Sequence, residues 1–251
     1  MGKFNLVLSG GGVRGYAHIG ALKALFEMGV EIGAVSGGSS GAIVGALLCD
    51  GYSPEEIAEI IVKEEPRIGI SWRHFKKGLL SFEKVRVLLK KYLRARNFSE
   101  LKMPLFVGAT SLETGLQEIF REGDLVTALA ASSALPLLLA PVVINNIPYA
   151  DAGMSNNLPV EPLLGLGEKI IGVHVNPILP FRDSGGLMET IDRSMHIIVG
   201  NNIRSSVSMC SVFIEPAELV NYHLLAHKKA AEIIEIGYRS VKDTVSRDQL
   251  V

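Results

Sequence analysis

The sequence predicts one α/β domain over residues 1–251, with a mainly parallel central sheet and helices on both faces. Three observations carry that expectation. Strand, glycine turn and helix follow one another twice in the first fifty residues; strand-like and helical patterns continue to the C-terminus; and no repeat, Pro/Ser linker or composition break divides the chain. At 251 residues, 48% hydrophobic and 20% charged, the chain can bury a sizeable core, which excludes collagen-like, coiled-coil and low-complexity classes.

Phe4 to Leu8 is an apolar strand running into Gly10 to Gly12, and a helical pattern follows from Gly15 to Met28. Ile32 to Val35 repeats the strand, Gly37 to Gly41 repeats the turn, and Ala42 to Cys49 is apolar on every side, as a buried helix requires. Ser53 caps a helix reaching Glu65, with Pro54 at its first position and Glu56 completing a capping box. Further strands are expected at Leu105 to Thr110, Leu116 to Phe120 after a Glu113-Thr114-Gly115 turn, Ile147 to Ala150, Ile170 to Val175 and Val212 to Glu215. Helices are expected at Leu125 to Ala131, Leu187 to Val199 and Leu224 to Lys242.

The balance of 25 basic and 26 acidic residues argues against a nucleic-acid partner held by phosphate contacts. Cys49 and Cys210 form no zinc spacing or disulfide framework, which points to a cytoplasmic home. The N-terminal segment MGKFNLVLSGGG reads as a strand; it lacks the long apolar stretch of a signal peptide, and Leu6 breaks a myristoylation pattern. The longest apolar stretch, Ala134 to Ile144, is shorter than the roughly 18 residues that span a bilayer, so the chain is expected to be soluble or peripheral. One segment stands apart. Arg67, Arg73, Lys76, Lys77, Lys84, Arg86, Lys90, Lys91, Arg94 and Arg96 are accompanied by a single acid, Glu83, and by Phe82, Val85, Leu88, Leu89 and Tyr92 on one helix face. Such a basic amphipathic element suits an anionic membrane surface, and equally a solvated helix face.

Gly37-Gly38-Ser39-Ser40-Gly41 is a GxSxG pattern between a strand and a helix. A sharp turn there needs glycines, projects the Ser39 oxygen at a helix N-terminus, and makes Ser39 a candidate nucleophile, or alternatively a plain serine cap. Gly10-Gly11-Gly12-Val13-Arg14-Gly15 fits GxGxxG, yet the acid that would hold a ribose at the end of the second strand is missing. The competing reading is an oxyanion hole of unobstructed N–H groups beside Ser39, with Arg14 adding charge or clamping the loop. Asp151, followed by Ala152 and Gly153, is a candidate base whose pKa would have to be raised by partial desolvation, or an Asx-turn aspartate. His174 follows Asp151 in the order of hydrolase triads, but in IIGVHVNP it reads better as a packed strand histidine. His223 with His227, and Asp192 with His196, have helix-face metal spacing without a third ligand, so no metal is assigned.

Together these motifs resemble the patatin-like phospholipases, serine acyl hydrolases that use a Ser-Asp dyad. Gly10 to Gly15 is similar to the family's glycine-rich oxyanion loop, Gly37 to Gly41 to its nucleophile elbow, and Asp151 to Gly153 to its DGG or DGA motif, with Asn157 and Pro159 in its NxP continuation. Ala131 to Pro136, through Pro141-Val142, resembles its ASxAxP segment, and Gly78 to Ser81 the start of a characteristic helix. The resemblance implies a three-layer α/β/α fold and a lipid acyl hydrolase acting on phospholipid, lysophospholipid or another fatty-acyl ester, with no cofactor. Ser39 would be the nucleophile, Asp151 the base, and Gly10, Gly11, Gly12, Arg14 and Gly15 the oxyanion loop. Ala134 to Val143 would line an acyl pocket or form ordinary core strand. Ala152 departs from the usual glycine and would strain the loop if a positive φ were needed; Gly38 and Ser40 replace the more frequent Thr and Ala. That departure motivates a non-catalytic regulator as the alternative, with a Rossmann-type nucleotide binder and a His174-dependent esterase behind it.

Overall fold

The computed structural model describes residues 2–68, 83–136, 139–178, 187–223 and 229–250. Its strands are β1 (Lys3–Leu8), β2 (Glu31–Gly38), β3 (Leu105–Ser111), β4 (Gln117–Phe120), β5 (Val142–Ile144), β6 (Ile147–Ala150), β7 (Lys169–Val173) and β8 (Val212–Ile214). They form one sheet in the order β5-β6-β3-β2-β1-β7-β8, with β4 also paired to β3. The stretch β3-β2-β1-β7-β8 is parallel; β4 and β6 run antiparallel to β3, and β5 antiparallel to β6. The helices are α1 (Tyr16–Glu27), α2 (Ser39–Cys49), α3 (Pro54–Ile68), α4 (Glu83–Tyr92), α5 (Leu125–Ser132), α6 (Leu187–Asn202), α7 (Arg204–Ser208) and α8 (Ala230–Thr244).

Alternation along the central strands divides the core in two. Phe4, Leu6 and Leu8 of β1 and Val35 of β2 pack with apolar residues of α1, α2, α5 and α8 in the larger core. Val7, Ala34 and Ile170 turn the other way, into a smaller core closed by Leu158, Val160, Leu163 and Ile203. Both faces are therefore covered, but unequally. The second is roofed mainly by a single helical turn at Glu161–Leu163 and by the junction of α6 and α7.

Three departures from the sequence-based expectation bear on the site. β2 runs on through Ser36 to Gly38, and α2 starts at Ser39 rather than Ala42, so the serine sits directly at the strand-to-helix junction. β7 stops at Val173 because the next residues turn to the end of β1, where Val175 N–H donates to Ser9 Oγ at 3.0 Å. Val142 to Ile144 forms a strand that pairs with β6 through an Asn145-Asn146 turn, both residues having positive φ (50° and 66°). The C-terminal helix begins at Ala230; residues 224–228, with His227, lie outside the described residues. Among the described residues no helix is long and apolar enough to cross a membrane.

Candidate active site

The carboxyl ends of β1, β2, β3 and β7 meet on one edge of the sheet, where the chain leaves β1 for β2 on one side and β7 lies on the other. Such a crevice is where open α/β sheets bind ligands. At its centre Ser39 has φ 50°, a left-handed conformation that costs a residue with a Cβ about 1 kcal/mol or more. The turn is held from several sides. Ser39 N–H donates to Ser132 Oγ at 2.8 Å, at the end of α5. A Cβ on Gly41 would stand 2.4 Å from the Leu8 carbonyl oxygen, and one on Gly37 would meet the Ala42 nitrogen at 2.8 Å, so both elbow glycines are demanded by close backbone approach.

Opposite stands Asp151, one residue beyond β6. The backbone places it twice over, through Asp151 N–H donating to the Ala134 carbonyl at 3.0 Å and Thr110 Oγ1 donating to the Asp151 carbonyl at 2.8 Å. Its buried carboxylate accepts Gly153 N–H at 2.8 Å. Burial pushes its pKa up to about 6, and the Gly153 bond, with the Ser39 side chain beside it, holds it from rising further. Asp151 is thus both a base candidate and the cap of the turn Ala152–Met154, so the two readings of its sequence context coexist. Ala152 does not adopt positive φ; it sits in that turn, fully buried, and the loop strain expected of it is absent. Gly153 sits in close quarters instead, since a Cβ there would stand 3.1 Å from both Asp151 Oδ1 and Asn157 Oδ1 and would press on those side chains.

The glycine loop borders the same crevice. Gly10 is buried against Ser39, Gly11 is half-buried, and Gly12, with φ 55°, is exposed. Gly15 packs on the Ser40 side chain, whose buried oxygen has no hydrogen-bond partner among the described residues. Arg14 is buried, its Nε donating to the Tyr222 carbonyl at 2.6 Å and its Nη1 lying 2.6 Å from His196 Nε2. A guanidinium only donates, so His196 accepts through an unprotonated Nε2.

The other sequence-derived candidates make no hydrogen bond to Ser39 among the described residues. His174 is buried and its Nδ1 pairs with Glu215 Oε1 at 2.7 Å, so it serves no triad with Asp151 in this arrangement. The described part of the basic segment is largely occupied by the protein itself. Lys91 and Tyr92 both donate to buried Glu64, the Arg94 guanidinium lies 4.2 Å from the Tyr52 ring centre, Arg96 donates to the Lys90 carbonyl, and Leu89 is buried. Residues 69–82, including Arg73, Lys76, Lys77 and the Gly78 to Ser81 stretch, lie outside the described residues. Of the proposed pocket wall, Ala134 is buried whereas Val143 is exposed on the outermost strand, and residues 137–138 are not described.

Sequence reasoning missed Thr110, Ser132 as a partner of the elbow, Asn176 and Asn202. Asn202 closes α6 onto the site by donating to the Gly153 carbonyl at 2.9 Å and accepting Asn157 N–H at 3.1 Å. Asn176 had a usable signal, an Asn-Pro pair just past a strand end on the ligand-binding edge.

Fold and site define an α/β protein with a strained serine at a strand-to-helix elbow, facing a buried carboxylate beside a glycine loop. A family model for patatin-like phospholipases matches residues 6–164, and the chain belongs to that family. It is 32% identical over 180 residues to an NTE family protein of Mycobacterium tuberculosis, a match covering 68% of this chain and 48% of that protein. It is likewise 32% identical over 173 residues to lysophospholipase NTE1 of Kluyveromyces lactis, covering 66% of this chain and 12% of that one. The chain thus spans half or less of the length of these relatives. VipD from Legionella pneumophila shares the fold, with a TM-score of 0.57 at 15% identity over 96% of this chain and 66% of that one.

Proposed function

We propose that the protein is a lipid acyl hydrolase, cleaving the fatty-acyl ester of a phospholipid or lysophospholipid. The observation that carries the reading is a strained Ser39 at the elbow beside the buried Asp151 carboxylate, which burial raises to about 6 while the Ser39 side chain holds it from rising further. At that pKa most of the carboxylate is ionised at neutral pH yet far more basic than an exposed aspartate. Ser39 Oγ attacks the ester carbonyl as its proton passes to Asp151, and the N–H groups of the Gly10 to Gly12 loop hold the oxyanion. Collapse breaks the ester C–O bond, and Asp151 returns the proton to the departing alcohol. Water then attacks the acyl-enzyme, giving its proton to Asp151, and the fatty acid leaves as Ser39 recovers a proton. Family membership and the relative named lysophospholipase support the substrate class. The loop strain that would have favoured a non-catalytic regulator is not present.

Intact-mass measurement after incubation with a fluorophosphonate tests the chemistry. One adduct is expected on the wild type, none on Ser39→Ala, and slowed labelling on Asp151→Asn; a folded wild type that takes no adduct sinks the reading. Contact with anionic lipid belongs to the proposal through the cations of Arg67–Arg96 that the body does not occupy, such as exposed Lys90. Flotation with phosphatidylserine vesicles should fall as salt rises. Binding indifferent to salt and to lipid charge removes that part alone.

A further inference from the structure

Resting on the hydrolase reading, we propose that Asn176 and Asn157 are positioning residues that fix the orientation of the Gly10–Gly11 peptide and so aim the Gly11 N–H at the oxyanion. A trans peptide carries its C=O and N–H on opposite edges, so holding one directs the other. The Gly10 carbonyl accepts Asn176 Nδ2 at 2.6 Å and Asn157 Nδ2 at 3.3 Å, while Gly10 N–H donates to the Asn157 carbonyl at 3.3 Å. Both asparagines are buried, at 2% and 3% exposure, so water cannot stand in for their amides. They come from different parts of the chain, Asn157 from the segment after Asp151 and Asn176 from the end of β7, and converge on one oxygen.

That oxygen belongs to the residue beside the nucleophile, since a Cβ built on Gly10 would lie 3.0 Å from Ser39 Cβ and 2.5 Å from Asn157 Oδ1. The Gly11 N–H lies on the opposite edge of the peptide, and no hydrogen bond joins it to an acceptor among the described residues. The glycines that keep the loop unobstructed also make a peptide flip inexpensive. A flipped peptide would present a carbonyl oxygen to the developing oxyanion, a repulsive contact in place of a donor. Two buried amides on the Gly10 carbonyl are the lock that a glycine loop cannot provide for itself.

Asn176→Ala, Asn176→Asp and Asn157→Ala test this. The aspartate variant keeps the size and loses the donor. Turnover of p-nitrophenyl butyrate should show kcat down at least about tenfold with KM within about twofold, the pattern of a group acting in the transition state. An alkyl trifluoromethyl ketone, which forms a hemiketal oxyanion on the serine, should bind weaker by a similar factor, whereas the corresponding alcohol should bind as to the wild type. The inference is overturned if folded variants keep wild-type kcat, if ketone and alcohol weaken equally, or if none of the three folds, since the asparagines then serve stability only. A wild type that neither turns over the ester nor binds the ketone overturns the hydrolase reading itself, and the positioning role with it.

Discussion

A Cβ built on Gly38 would stand 2.8 Å from the Ala152 methyl, closer than two carbons pack, while the backbone of Gly38 (φ −119°, ψ 146°) is one any residue adopts. The space between the elbow and the aspartate loop therefore holds one methyl group, here supplied by Ala152. This joins two departures that the sequence presents separately, glycine at 38 and alanine at 152, into one compensating pair. Gly38→Ala alone should destabilise by about 1–3 kcal/mol through overpacking, and Ala152→Gly alone by about 1 kcal/mol through lost packing and backbone entropy. The double variant moves the methyl across the gap and should be more stable than the sum by about 1 kcal/mol or more, read from urea denaturation. Strict additivity would mean that the loop yields instead. Ser39 and Asp151 were legible as candidates because their motifs are local in sequence; Asn176 was marked only by its Asn-Pro setting past a strand end, and the roles of Thr110 and the 38–152 contact exist only once distant segments meet.

Helix α1 begins right after the glycine loop, and its seat is set by contact with α8. A Cβ on Gly20 would fall 1.8 Å from the Ile234 carbonyl oxygen, and one on Gly237 1.9 Å from that of Ala17, so the two backbones cross with no room for a methyl. Gly20→Ala is expected to lower the unfolding free energy read from urea denaturation by at least about 2 kcal/mol, despite alanine's better helix propensity, because the helices must separate. A neutral or stabilising result would show that the crossing adapts. The helical elements themselves were readable from period and caps: the Ser53–Glu56 capping box forms as expected, with Glu56 N–H to Ser53 Oγ at 3.2 Å and Ser53 N–H to Glu56 Oε2 at 2.8 Å. Of the β5–β6 hairpin only β6 was legible, expected over the Ile147 to Ala150 it occupies; β5 is three residues long, and the Asn145-Asn146 turn with both φ positive carries no glycine to mark it. The apolar face of α4 was legible as a face but not as to what it covers; Leu89 and Tyr92 turn to the body at Glu64 and the core.

Over the whole molecule, the buried carboxylate that suits catalysis works against stability, and pH separates the two. Asp151 titrates near 6 when folded and near 3.8 in its ordinary state, so between those values the native protein binds more protons than the unfolded chain, and stability falls as pH rises. The loss is complete above about pH 6 and amounts to about 2–3 kcal/mol. His18 acts in the opposite sense over nearly the same window. Its burial lowers it from 6.5 to about 4, so the native protein binds fewer protons there and gains stability as pH rises from 4 to 6.5. The two slopes offset, and the pH dependence of wild-type stability alone reveals neither. Asp151→Asn isolates one: its stability advantage over the wild type should grow by about 2–3 kcal/mol between pH 4 and pH 6.5 and stay level above, in urea denaturation at each pH. Over the same range wild-type kcat/KM for an ester should climb along an acid limb with an apparent pKa of about 6, reporting the ionised base of the free enzyme. A stability gap independent of pH, together with a limb near 4, would mean that Asp151 is solvated in solution and that its burial does not tune the base.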